Sequence, residues 1–151
     1  SLYKAKWQTS YMPINLINRQ VFLELFNQLR KDHNLGHNLR DDECLDQMAD
    51  YWANYHRDMK LFLTHQANGI DLVKRAWHFS CKYKIIAENV GRFHSIDATI
   101  LFQGWLDSPA HLEKMLLPSI NRFGLACVKA PYPIILNIKY GDFVCVLVMR
   151  S

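Results

Sequence analysis

Phe143-Val144-Cys145-Val146-Leu147-Val148-Met149 is the stretch whose reading decides the fold. Side chains of a strand alternate between two faces, so a run that is apolar at every position has both faces covered. The segment therefore predicts a strand inside a sheet that carries helices on each side. Phe123 to Lys129 and Ile134 to Tyr140 show strand patterns as well, and Gly141-Asp142 is suited to join the last two runs as a hairpin. Ile85 to Val90 reads as a further short strand.

Upstream the period becomes helical. After Asn18, read as an N-cap, Val21, Phe22, Leu25, Phe26 and Leu29 mark one face of a first helix, which Asn34-Leu35-Gly36 stops. A second helix starts at Asp41 or Asp42 and carries the stripe Leu45, Met48, Ala49, Trp52, His56 and Met59. His56 on that stripe reads as a core-edge histidine rather than a ligand. Thr64 to Gly69 is a loop, and a short helix follows through Leu72, Val73 and Ala76. Ser95 is placed to cap the next helix, with Ala98, Leu101, Phe102 and Trp105 on one face. Ser1 to Ile17 lacks periodicity and is expected to wrap the surface, anchored by Trp7, Tyr11 and Met12. The whole reads as a single domain over residues 1–151. Its class is α+β: a three-layer helix-sheet-helix sandwich with a central, mainly antiparallel sheet.

A chain of 151 residues can bury one sizeable core, and its 50% apolar and 13% aromatic content argues against disorder. No apolar run approaches the roughly 18 residues that span a bilayer. With no n-region or apolar h-region at Ser1, the sequence reads as a mature or trimmed product. The net charge of +4 arises from 18 basic and 14 acidic side chains that are mostly dispersed. Lys74, Arg75, Lys82, Lys84 and Arg92 form one loose basic neighbourhood, read first as a solvated face and second as a peripheral contact for an anionic partner or lipid headgroup. No nucleic-acid-binding motif accompanies the charge. The four cysteines, Cys44, Cys81, Cys127 and Cys145, allow three pairings. An exported chain would form one or two disulfides; Cys127 and Cys145 fit equally as small buried hydrophobes of a reduced protein.

Trp105-Leu106-Asp107-Ser108-Pro109-Ala110-His111 marks a helix start: Ser108 at the N-cap, Pro109 in the first helical position, His111 in the first turn. The positive end of the helix dipole there disfavours a protonated ring. Thr64-His65 and Ala87-Glu88-Asn89-Val90 complete the candidate site. His65 on a loop, Glu88 in a strand and His111 at a helix start are donor types suited to zinc or a similar divalent cation, with a position left for water. The alternative is a hydrogen-bonded cluster in which Glu88 orients both rings. Asn89 reads as a tie between loops and Trp105 as core. There is no H-E-x-x-H and no second carboxylate placed as a general base, so binding is expected before catalysis; a metal-dependent hydrolase using the same three residues is the enzyme alternative. Pairing Cys81 or Ser108 as a nucleophile with a histidine lacks any supporting motif.

In order along the chain, these segments resemble the CAP superfamily of cysteine-rich secretory, antigen 5 and pathogenesis-related proteins, also called the SCP domain. Asn27-Gln28-Leu29-Arg30 looks like the family's N-x-x-R helix, and Leu45, Met48, Ala49, Trp52 and Ala53 look like its L-x-x-x-A-x-x-x-A helix. Ala87-Glu88-Asn89-Val90 resembles the G-E-N-[IL] box, and Trp105 to His111 resembles the W-x-x-S-x-x-H pattern of the bacterial branch. Two departures stand out. Ala87 replaces a glycine, and Ser108 falls where animal and plant members carry a second glutamate; Asp107 beside it is turned by about 100° on a helix. The resemblance implies helices flanking an antiparallel sheet, an extracellular location, no required cofactor, and a groove around a reduced site of His65, Glu88 and His111. It also implies a lipid or sterol-like ligand, a protein partner or a divalent metal, or else an interaction subunit of a larger assembly that has lost ligand binding.

Overall fold

A computed structural model describes residues 16–131 and 141–151. The elements in order are α1 (Leu16–Asp32), β1 (Arg40–Asp41), α2 (Glu43–Met59), α3 (Leu72–His78), β2 (Ile86–Phe93), α4 (Ala98–Leu106), α5 (Pro109–Met115), β3 (Arg122–Lys129) and β4 (Phe143–Arg150). The sheet runs β1-β3-β4-β2. β4 is antiparallel to β3 on one side and to β2 on the other, while the two-residue β1 joins β3 in parallel.

The apolar alternation of β4 builds both layers. Cys145, Leu147 and Met149 pack with Phe22 and Phe26 of α1, Leu101 and Trp105 of α4 and Met115 of α5. Val144, Val146 and Val148 pack with Met48 and Trp52 of α2 and Ala76 of α3. This is the expected three-layer α+β sandwich. Two disulfides cross-link it: Cys44–Cys81 joins α2 to the segment after α3, and Cys127–Cys145 joins β3 to β4 at directly opposed positions. Cys127 and Cys145 are thus a bridge rather than free buried thiols.

Several boundaries differ from expectation. α1 begins at Leu16, so Asn18 lies inside it instead of capping it. The next-helix cap is Asp97, whose carboxylate accepts from the Thr99 and Ile100 amides, whereas Ser95 accepts from the Asp97 amide and so supports the cap from outside. Ile85 is exposed and precedes β2, and Met59 at the end of the α2 stripe is exposed. The expected anchors Trp7, Tyr11 and Met12 and the strand expected over Ile134 to Tyr140 lie outside the described residues; both edges of β4 are occupied by β2 and β3.

The family-like Asn27 and Arg30 act as fasteners. Asn27 exchanges two hydrogen bonds with the Leu39 backbone. Arg30, fully buried, donates to the carbonyls of Gly36, Met115, Leu117 and Pro118, satisfying the end of α5. α2 meanwhile lies directly on β3: a Cβ at Gly124 would stand 2.2 Å from the Leu45 carbonyl carbon and 2.3 Å from the Asp46 nitrogen. Both obstacles are backbone, which cannot rotate aside. Gly124→Ala is therefore expected to destabilise by about 3 kcal/mol or more, the upper end for overpacking, as read by denaturant unfolding; a loss below about 1 kcal/mol would show that α2 can lift off the sheet.

Candidate functional site

The site begins on α2. Trp52 and His56, one turn apart, hold the backbone of one residue from both of its peptide groups: Trp52 Nε1 donates to the Thr64 carbonyl at 2.9 Å, and the Thr64 amide donates to His56 Nε2 at 3.2 Å. Because Nε2 accepts, Nδ1 carries the proton and donates to the Trp52 carbonyl at 2.8 Å. His56 is fully buried and burial holds its pKa below the ordinary histidine value, against the opposing pull of that carbonyl. Its role is to present the next residue, His65.

His65 Nδ1 donates to Glu88 Oε1 at 3.0 Å; the histidine side chain is 48% exposed and the glutamate 1%. Arg75 of α3, fully buried, completes the arrangement. Its guanidinium donates to both Glu88 oxygens and, through Nη2, to the His65 carbonyl at 2.8 Å, while Cζ lies 4.0 Å over the Trp52 ring. Burial pushes the Glu88 carboxyl up, but the His65 hydrogen bond and the Arg75 charge outweigh it and hold the group below the usual glutamate value. Lys114 of α5 caps the cluster from outside: Nζ donates to the Glu88 carbonyl at 2.9 Å and stands 3.4 Å from His65 Nε2.

His111 occupies the first turn of α5 as expected, behind Pro109, although the Ser108 side chain makes no capping bond. Its carbonyl accepts from Asn89 Nδ2 at 3.2 Å, so Asn89 ties β2 to α5. Burial first, then the charges of Lys114 and His65, hold the His111 pKa below the ordinary value, and Nδ1 is buried with no hydrogen-bond partner among the described residues. The structure thus joins His65 to Glu88 directly and places His111 beside them, on the wall of a groove.

That groove, about 560 Å³, runs between the end of β2 and α4–α5. Leu63, Phe93, Ile100 and Trp105 give it apolar walls; Gln103, Asp107, Ser108 and His111 supply polar groups. Trp105 packs edge-on against Phe93, as the core residue the sequence suggested, yet its buried Nε1–H has no partner among the described residues. Gly91 makes this possible, because a Cβ there would stand 2.6 Å from the Phe93 ring and 3.1 Å from Trp105 Nε1.

Two cations here were not anticipated as site residues. Arg75, in the basic neighbourhood of the sequence, is buried instead of solvated; the signal for this is its place beside Ala76 on the inner side of a short helix. Lys114 lies three residues after His111, hence on the same helix face. A divalent cation does not fit this donor set. Both Glu88 oxygens are engaged, an ammonium stands beside the outer nitrogen of His65, and Ser108 brings no second carboxylate. Among the described residues, no three His, Cys, Asp or Glu side chains are grouped to hold a metal ion.

The chain belongs to the CAP family: the profile of the cysteine-rich secretory protein family matches residues 23–146. Comparison with curated proteins gives no match. Among solved structures, the fold is similar to an outer surface protein of Borrelia burgdorferi, with TM-score 0.74 at 17% identity, covering 94% of this chain and 98% of that one. It is also similar to an extracellular SCP-domain protein of Bacillus anthracis (TM-score 0.69, 21% identity, 93% of this chain and 45% of that one). A cysteine-rich secretory protein of Staphylococcus aureus gives TM-score 0.61 at 20% identity over 87% of this chain and 37% of that one.

His56 yields a test with a defined sign. A histidine whose folded pKa lies below the unfolded value of 6.5 leaves stability intact above that pH and removes it as pH falls, because only the unfolded chain takes up the proton. Protonated Nε2 would also oppose the Thr64 N–H donor. Between about pH 7.5 and about pH 5.5 the melting temperature of the wild type should fall more than that of His56→Gln, which itself should be less stable at the higher pH by about 1–3 kcal/mol. Parallel pH profiles would contradict this role.

Proposed function

We propose that this chain is an exported binding domain whose groove takes an apolar, lipid- or sterol-like molecule. The observation that carries the reading is the apolar groove itself, walled by Leu63, Phe93, Ile100 and Trp105 and lined also by His111, whose pKa is held below the ordinary histidine value. The groove volume of about 560 Å³ falls in the usual range for small-molecule sites. Exposed Phe62, Leu63 and Ile100 continue the apolar character outward along the chain. Two disulfides suit an oxidising compartment, as does the likeness to a Bacillus protein described as extracellular. Binding is favoured over hydrolysis because Arg75 and His65 engage both oxygens of Glu88, which is therefore not available as a general base.

Calorimetric titration with a sterol, a long-chain fatty acid and a phospholipid tests the proposal. At least one class should bind saturably, and Gln103→Trp, an exposed helical position on the groove wall, should weaken it by about tenfold or more with the stability change within about 0.5 kcal/mol. No saturable binding in any class, or equal binding by the variant, would overturn the groove as the site and leave a protein partner as the ligand.

A further inference from the structure

The α3 helix and the segment that follows it present a face the groove does not use. Trp77 is 81% exposed, Val73 one turn earlier 55%, and Ile85 45%, with exposed Tyr83 between two exposed lysines, Lys82 and Lys84. Two shallow concavities share Lys82 and Tyr83: one continues to Val73 and Trp77, the other to Ile85 and Arg150. The face is therefore continuous. Its exposure is built in, since α3 is capped by Asp71, Cys81 is held by the bridge to Cys44 and by the hydrogen bond its amide donates to the Ala76 carbonyl, and Lys84 and Ile85 are hydrogen-bonded to Ser151.

The segment that builds this face carries one sign of charge. Residues 72–87 contain no Asp or Glu. The preceding acid, Asp71, is spent on the α3 cap, and the following one, Glu88, is buried under Arg75. Arg75 itself is inward and Arg150, at the edge of the face, is paired with Asp42, so the basic groups that the segment exposes here are lysines, which can lay their stems along apolar surface and keep their charges in water. Tryptophan and tyrosine favour the boundary between hydrocarbon and headgroups, and lysines favour anionic headgroups. We infer that the Val73–Trp77–Tyr83–Ile85 face, ringed by Lys82 and Lys84, docks the domain onto an anionic lipid surface.

This inference is independent of the groove. The test is co-sedimentation of the whole chain with vesicles of equal parts phosphatidylglycerol and phosphatidylcholine, against vesicles of phosphatidylcholine alone. Binding is expected to the anionic vesicles only, weakening as salt shortens the reach of charge. Trp77→Ala should reduce it by about tenfold or more, and Lys82→Ala with Lys84→Ala by about fivefold for each lysine removed. Gln103→Trp should bind vesicles as the wild type does, whatever its effect on the groove. No binding to anionic vesicles, equal binding to neutral ones, or equal binding by the Trp77 and lysine variants would overturn the inference; retention on an acidic polypeptide without vesicle binding would assign the face to a protein partner instead.

Discussion

The buried ion pair between Arg75 and Glu88 is the interaction on which the candidate site depends. Isolated, either charge would be intolerable in a site where both side chains are essentially inaccessible to water. Together they satisfy one another, and the remaining Arg75 contacts extend the arrangement to the His65 carbonyl and the Trp52 ring. Four pieces of chain that are distant in sequence, α2, the 64–65 loop, α3 and β2, are thereby held in one register. A wholly apolar replacement of the pair can match its stability but would not fix the orientation of His65.

The Glu88-Asn89 dipeptide shows how a strand distributes this work. Successive side chains point to opposite faces, so Glu88 reaches the α2–α3 layer while Asn89 reaches α5 through the His111 carbonyl. One short segment ties both helical layers to the sheet. The same alternation separates scaffold from groove: the ion pair lies with one layer, and the apolar space beside Phe93 and Trp105 lies with the other. The electrostatics agree with this division. The Glu88 carboxylate is met by Arg75, and Lys114 stands beside it on the Glu88 backbone carbonyl; this excess of positive charge favours a structural cluster over a cation-binding centre.

Much of this was legible in the sequence where the physics is local and periodic. The two-faced apolar run of β4 gave the three layers, the stripe of α2 placed its buried face, and Ser108-Pro109 located the start of α5 and hence His111. What escaped depends on tertiary partners. Arg75 has the composition of a surface residue, and only the neighbouring Glu88 and Trp52 make its burial favourable. Asn18 and Ser95 are good caps in isolation, yet α1 extends past the first, and Asp97, two residues after the second, accepts hydrogen bonds from two amides at the helix start. The pairing of cysteines required the Cys127–Cys145 register, which apolar alternation alone does not specify.

The most direct test of this account is a double-mutant cycle on Arg75→Met and Glu88→Gln, read by denaturant unfolding at neutral pH. Each single change leaves a buried polar group or charge without its partner and should cost about 3–5 kcal/mol, while the double variant should be more stable than the sum of the two losses by about 2 kcal/mol or more. Losses that add to within about 0.5 kcal/mol would show that the two side chains are energetically independent and would contradict the ion pair as the organising element of the site.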